Sequence, residues 1–314
     1  TVREKVEINK NLCVHCHKCL EVSSRGCIIA HRKQINEGGM LVKSANMKTS
    51  GIDKYSTFGL RDEWVDVFFD RGNSWFGSYP NLGSKMIPAA TNWLREAELI
   101  DEKGKKTSDK FYVVKELYDR NKLAAWQIIW VGLAYNSAIV NSFVKSIKID
   151  VPYTREDIVA IMREDFPTLN ENTIKNPTSA LITMFRYSPL GCLSNEQAEA
   201  QNIYIAELQM SGNTTRGIRR ISSTYVSVAA LAYLLYKEAR ETNCYDTTVS
   251  DLMTAGGINP YTVFGMTTEK LIPALKALTQ MDILTADLTG GLENVHLNED
   301  ILPDDVLAAV IRRI

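Results

Sequence analysis

The chain has little of what most catalytic and cofactor sites are made from. Its 314 residues include four histidines and six cysteines, and three of those histidines and four of those cysteines lie at or before position 31. Beyond that point only Cys192, Cys244 and His296 remain. The body therefore has almost no thiol or soft-metal chemistry, and its two lone cysteines read as packing residues. There is no Gly-x-x-x-x-Gly-Lys-Ser/Thr loop, no Gly-x-Gly-x-x-Gly after a strand, no Gly-x-Ser-x-Gly and no His-Glu-x-x-His. These absences remove the common nucleotide-binding, serine-hydrolase and zinc-protease readings, and catalytic residues stay unassigned. Nor is there an apolar run of about 18 residues, so no membrane span is expected. The nearest stretch, 124–140, contains Gln127 and Asn136 and suits a buried helix. No secretory leader is read and the cysteines do not form a disulfide framework, so a cytoplasmic location is expected.

The composition is that of a globular protein, 45% hydrophobic and 23% charged, with a formal net charge of −1. The charge is unevenly spread. Residues 1–54 carry ten Lys and Arg against five Asp and Glu, so the remainder is acidic on balance. The length allows more than one domain.

The densest chemistry is Cys13-Val-His-Cys16-His-Lys-Cys19, followed by Cys27. Cys-x2-Cys-x2-Cys bends a short loop so that three thiolates converge on one face of a [4Fe-4S] cluster. The segment resembles half of a bacterial ferredoxin motif, but Ser23 stands where the fourth cysteine belongs and Cys27 comes four residues later. The fourth ligand is either Cys27 after a loop shift or an exogenous group. Zinc competes, because Cys13-x2-Cys16 with Cys27-x3-His31 has the spacing of a zinc knuckle. That alternative leaves Cys19 idle, whereas a cluster uses it. His15 and His17 read as loop residues beside the metal.

Residues 33–54 are polar and glycine-punctuated and read as a linker. The expected organisation is a ferredoxin-like cysteine segment at 1–35, a linker at 36–54, a winged-helix-like domain at 55–150, and a second helical region with winged-helix-like units at 151–314. Helical periodicity dominates the body. Ala89, Ala90, Trp93, Leu94 and Ala97 form one stripe, followed by Leu99-Ile100 and a Gly/Lys hairpin with Lys103, Lys105 and Lys106. Helix followed by hairpin is the layout of a winged helix. A second copy is read near the C-terminus: a helix over 269–281 capped by Thr267 or Thr268, with Leu271, Leu275 and Leu278 on one face, then 282–285, a Gly290-Gly291 turn and 294–297. A weaker third candidate spans 154–193, with helices at 155–164 and 172–185 and a turn at 189–191, where Asn176-Pro177 marks either a kink or a helix start. Apolar packing helices are expected over 122–144 and 226–240. The fold class is thus mainly α, with tandem winged-helix-like domains, small β wings and a small N-terminal metal-binding segment.

Asn213-Thr-Thr-Arg216-Gly-Ile-Arg219-Arg220 reads either as a phosphate clamp or as a solvated basic turn. Glu63, Asp66 and Asp70, at i, i+3, i+7 spacing, either converge on a metal or form a solvated helix face.

The segment Thr57-Phe58-Gly-Leu60-Arg61-Asp-Glu-Trp64, then Leu82-Gly-Ser-Lys85-Met86 with Trp93-Leu94, and later Trp130, resembles the domain of unknown function 4007 family over roughly residues 55–314. The histidine that often opens the family's first motif is replaced by Tyr55-Ser56. Such proteins are similar to the B component of Ssp-type bacterial DNA phosphorothioation systems, which works with a cysteine desulfurase, an ATPase and a sulfur-transfer protein resembling phosphoadenosine phosphosulfate reductases. The resemblance implies DNA backbone sulfur modification in phage defence, DNA binding, and a nicking activity. On that view Lys85, Arg95, Lys103, Lys105 and Lys106 contact phosphate, with Arg61 near the same face unless it forms a buried ion pair beside Trp64. Two other readings remain open. One is an iron–sulfur or zinc adaptor docking the sulfur-transfer partner. The other is a metal-dependent transcription regulator.

Overall fold

A computed structural model describes residues 52–193, 205–223, 225–288 and 293–314. The cysteine segment with Cys13, Cys16, Cys19 and Cys27, the histidines around it and the expected linker up to residue 51 lie outside the described residues; the last linker residues are described, with Ile52 buried and Lys54 paired with Glu96. Those described fall within one unit, Thr49–Ile314. Helices predominate, with two small sheets.

The first elements are α1 (Asp62–Arg71), a 3-10 turn (Gly72–Trp75), α2 (Met86–Glu96), α3 (Asp109–Arg120), α4 (Lys122–Asn136) and α5 (Ala138–Ser146). Local chemistry sets their starts. Ser108 accepts from the Phe111 amide to cap α3, and Asn121 accepts from the Ala124 amide to cap α4. Helix α4 is buried along its whole middle, Ala124 through Ala134, as expected of a helix apolar on all sides. Its polar exception, Gln127, is paired at both ends of its amide: Nε2 donates to the Tyr225 carbonyl (3.0 Å) and Oε1 accepts from the Ser227 amide (2.8 Å).

The single helix expected over 122–144 is two. Ser137 is extended and buried, and α4 and α5 meet at 96°. The Ser137 hydroxyl lies 2.9 Å from the Tyr55 hydroxyl, which also donates to the buried Glu96 carboxylate. The Tyr55 ring stacks on Trp93 at 3.7 Å. No single helix among the described residues is long and apolar enough to cross a membrane.

Two units follow, each with a lone strand, helices and a hairpin. In the middle one, β1 (Pro152–Thr154) leads into α6 (Arg155–Asp165) and α7 (Glu171–Arg186). Then come β2 (Gly191–Leu193), β3 (Ala206–Ser211) and β4 (Thr214–Arg220), in the sheet order β1-β4-β3-β2. Thr154 and Asp157 form a capping box on α6, and Asn170 caps α7. Helix α7 continues through Pro177, so the Asn176-Pro177 step is neither its start nor its end. In the C-terminal unit, α8 (Val228–Thr242) precedes β5 (Asp246–Thr248), α9 (Val249–Leu252), α10 (Pro260–Phe264) and α11 (Thr268–Gln280). β6 (Leu284–Asp287), β7 (Asn294–Leu297) and α12 (Pro303–Ile311) complete it, with sheet order β5-β7-β6. In both units the lone first strand pairs antiparallel with the second strand of the hairpin.

One charged knot ties the blocks together. Glu98, in the left-handed backbone region (φ 63°) after α2, receives Lys110 from α3 (2.7 Å), Lys237 from α8 (2.5 Å), the Tyr233 hydroxyl (2.8 Å) and Asn136 (2.9 Å). Burial pushes its carboxyl pKa up, but the two ammonium groups outweigh that and hold it well below the usual range. Lys110 is itself pushed down by burial.

Candidate nucleic-acid interface

Helix α7 presents an exposed polar face and precedes, after β2, the β3–β4 hairpin. Ile174, Ala180, Leu181 and Phe185 turn inward. Asn172, Lys175, Asn176 and Arg186 are exposed, and Ser179 and Thr183 are half-buried between them. The spacing of three or four residues lines them along one face. Among the described residues the ion pair on this stripe joins Lys175 to Glu171, one turn earlier, at 2.7 Å.

The hairpin is fastened to the end of this helix. Arg186 Nη1 donates to the Asn213 carbonyl at the tip of β3–β4 (2.9 Å). Gln209 faces Gly217 and Met210 faces Thr215, so Arg216 is the extra residue of a β-bulge. A bulge re-aims its side chain, and Arg216 is exposed. Gly217 is dictated by close approach, since a Cβ there would overlap the Tyr153 carbonyl of β1.

The Phe58-Gly-Leu-Arg61 segment lies across the same helix. A Cβ on Gly59 would collide with the Ala180 carbonyl and Met184 amide of α7, so only glycine lets the chain cross there. Arg61 then stacks near Tyr187 (4.8 Å) and Trp64 (5.2 Å), and Arg186 also lies over Tyr187 (5.4 Å). Cation–π contact with two rings takes the place of the ion pair considered for Arg61, whose buried Nε has no hydrogen-bond partner among the described residues.

The arginine run divides three ways. It is a strand, not a turn. Arg216 points to solvent. Arg219 is engaged by Glu207 across the hairpin (Nε at 2.9 Å). Arg220 is buried, donating to the carbonyls of Val144 (3.0 Å), Ile147 (2.9 Å) and Thr262. Burial lowers its pKa to about 10. The phosphate-clamp reading therefore fails for Arg220, whose guanidinium is spent pinning the sheet to α5 and α10.

A second cationic group sits after α2. Arg95 lies beneath Gly104 and donates to Asn92 (2.7 Å). Lys103, Lys105 and Lys106 are exposed on a turn that is closed by the Ile100–Thr107 bridge and by Asp101, whose carboxylate accepts from the Lys105 and Lys106 amides. The expected wing is reduced to this one bridge. Lys85 is exposed at the start of α2. None of these four lysines has an ion pair among the described residues.

The candidate carboxylates do not converge. Asp66 is occupied by Tyr118 and Lys122, and Asp70 lies beside Arg71. Among the described residues no three of His, Cys, Asp and Glu are grouped to hold a metal ion. The stripe of α7, with Arg186 and Tyr187, escapes motif reading. Its signal is polar i, i+3, i+4 periodicity opposite an apolar face, which gains meaning only once the hairpin is placed.

No protein-family model and no curated protein matches the chain. Two solved structures do. A magnesium-bound crystal structure of SspB aligns with TM-score 0.60 at 13% identity, over 83% of this chain and 86% of that one. A further SspB crystal structure aligns with TM-score 0.59 at the same identity and coverage. What this protein shares with SspB at that identity is the fold.

Proposed function

We propose that the protein is the DNA-binding component of a bacterial DNA phosphorothioation or related phage-defence complex, acting beside ATPase and sulfur-transfer components. The reading takes the middle and C-terminal units as winged helices. The observation that carries it is the middle unit: helix α7 ends in Arg186, which holds the hairpin tip through Asn213, while Arg216 stands free on its bulge. In a winged helix the exposed face of this helix enters the major groove and the hairpin touches phosphate. Lys85, Arg95, Lys103, Lys105 and Lys106 supply a second cationic patch. Likeness of fold to SspB supports the system assignment.

Fluorescence anisotropy with duplex DNA tests the reading. Affinity falls tenfold or more between about 50 and 200 mM salt if several phosphates are neutralised. Absent or salt-independent binding overturns it. Nicking, which the family resemblance implies, is read separately as conversion of supercoiled plasmid to open circle in the presence of magnesium.

The cysteine segment favours a second role for the same chain, in which Cys13, Cys16, Cys19 and Cys27 hold a [4Fe-4S] cluster, or a subset of them with His31 holds zinc, and dock the sulfur-transfer partner. Metal analysis of the purified chain distinguishes the two.

A further inference from the structure

We infer that α7 reads base edges, so that this subunit selects a DNA sequence rather than holding DNA by its backbone alone. The inference rests on the DNA-binding reading and deepens it. A helix face that merely meets water is usually built from Lys, Glu, Gln and Arg, which favour the helix and pair at i, i+4. Beyond the Glu171–Lys175 pair of its first turns, the exposed stripe of α7 carries Asn172, Asn176, Ser179 and Thr183, all from the less favourable half of the helix-forming scale. The side-chain amides of Asn172 and Asn176 make no hydrogen bond to the described residues. Ser179 donates to the Lys175 carbonyl (2.8 Å) and keeps its acceptor lone pairs.

From residue 172 to 183 the stripe runs about 16 Å, three turns of helix, and a helix about 10–12 Å across fits a major groove about 12 Å wide. An asparagine amide there donates to adenine N7 and accepts from its N6 amino group. The cations along this face are Lys175, inside the stripe and paired with Glu171, and Arg186 at its C-terminal end. The equivalent helix of the C-terminal unit, α11, exposes Thr268, Glu269, Pro273, Lys276 and Gln280, with neither asparagine nor arginine. The readout chemistry belongs to one unit and is not a generic property of the architecture.

Selection from a randomised duplex library with the full chain, followed by affinities for the selected and a scrambled duplex at fixed salt, tests the inference. The wild type enriches a short motif containing adenine. Asn172→Ala with Asn176→Ala lowers the preference for the selected duplex about tenfold or more while leaving the salt dependence of scrambled-duplex binding unchanged. Both positions are exposed on a helix that alanine favours, so the variant folds. The library arm decides independently of it. DNA binding without an enriched motif, or a preference that survives in the variant, overturns the inference and leaves the DNA-binding reading standing. No binding to any duplex overturns both.

Discussion

Helix α7 with its hairpin and helix α11 with its hairpin occupy equivalent places in two units whose lone strand pairs with the second hairpin strand, the middle one adding β2 at its edge, yet the charges along them differ. From α7 to β4 the described residues include Lys175, Arg186, Arg216, Arg219 and Arg220 against Glu171 and Glu207. From the end of α11 onward, Asp282, Asp287, Glu293, Glu299, Asp300, Asp304 and Asp305 appear before the next cation, Arg312. Lys270, at the start of α11, donates to the Ser223 carbonyl (2.6 Å). A shared backbone plan therefore carries different charge on the two helix–hairpin segments, although the acids of α6 bring the described part of the whole middle unit to seven Lys and Arg against six Asp and Glu.

The most disruptive way to break the comparison is to remove the residue that binds the two units together. Arg220→Ala strands three buried carbonyls and costs about 3 kcal/mol or more, which lowers Tm by roughly 6–12 °C in a chain of this size. Arg216→Ala, four positions earlier on the same strand, leaves Tm unchanged because its side chain is in solvent. Equal melting shifts for the two would refute the division of that strand into structural and free arginines.

Binding sharpens the comparison next. Arg186→Ala with Arg216→Ala weakens duplex affinity roughly tenfold and flattens the salt dependence, whereas Lys276→Ala on α11 changes it less than about twofold. Titration by anisotropy reads both, and an equal loss from the two sites contradicts the account.

Acid acts on the platform beneath the units. Glu98 has its folded pKa depressed below its ordinary 4.5. Its stabilising contribution is therefore complete above about pH 5 and is lost as pH falls through the lower folded value. Glu96, raised chiefly by burial, runs the other way. Thermal melts from neutral to acid pH show a shallower acid decline for Glu98→Gln than for the wild type, together with a lower Tm at neutral pH. An unchanged acid slope would remove Glu98 from the explanation.

The smallest expected effect lies at the cysteines. Cys13→Ser with Cys16→Ser abolishes visible charge-transfer absorbance, or zinc if zinc is the metal, and leaves duplex affinity unchanged.

Much of this frame was legible in the sequence because it is written locally. Leu271, Leu275 and Leu278 mark α11, while Ala89, Ala90, Trp93 and Leu94 mark α2. The fate of the arginine run was not legible, because it depends on distant partners. Arg220 is buried by Val144, Ile147 and Thr262, and Arg216 is freed by a bulge in the pairing with β3. The break at Ser137 was hidden for the same reason, since Tyr55 lies 82 residues away. The middle unit looked the weakest of the three from its sequence because its hairpin strands follow α7 only after a long interval. The Lys103–Lys106 turn reads from sequence as a wing, yet it makes a single bridge.

Hydrogen–deuterium exchange of the full chain with and without duplex DNA tests the central claim most directly. The account predicts slowed exchange in α7 and at the β3–β4 tip, with α11 and β6–β7 unaffected. Protection of α11 and its hairpin with none in α7 would contradict it.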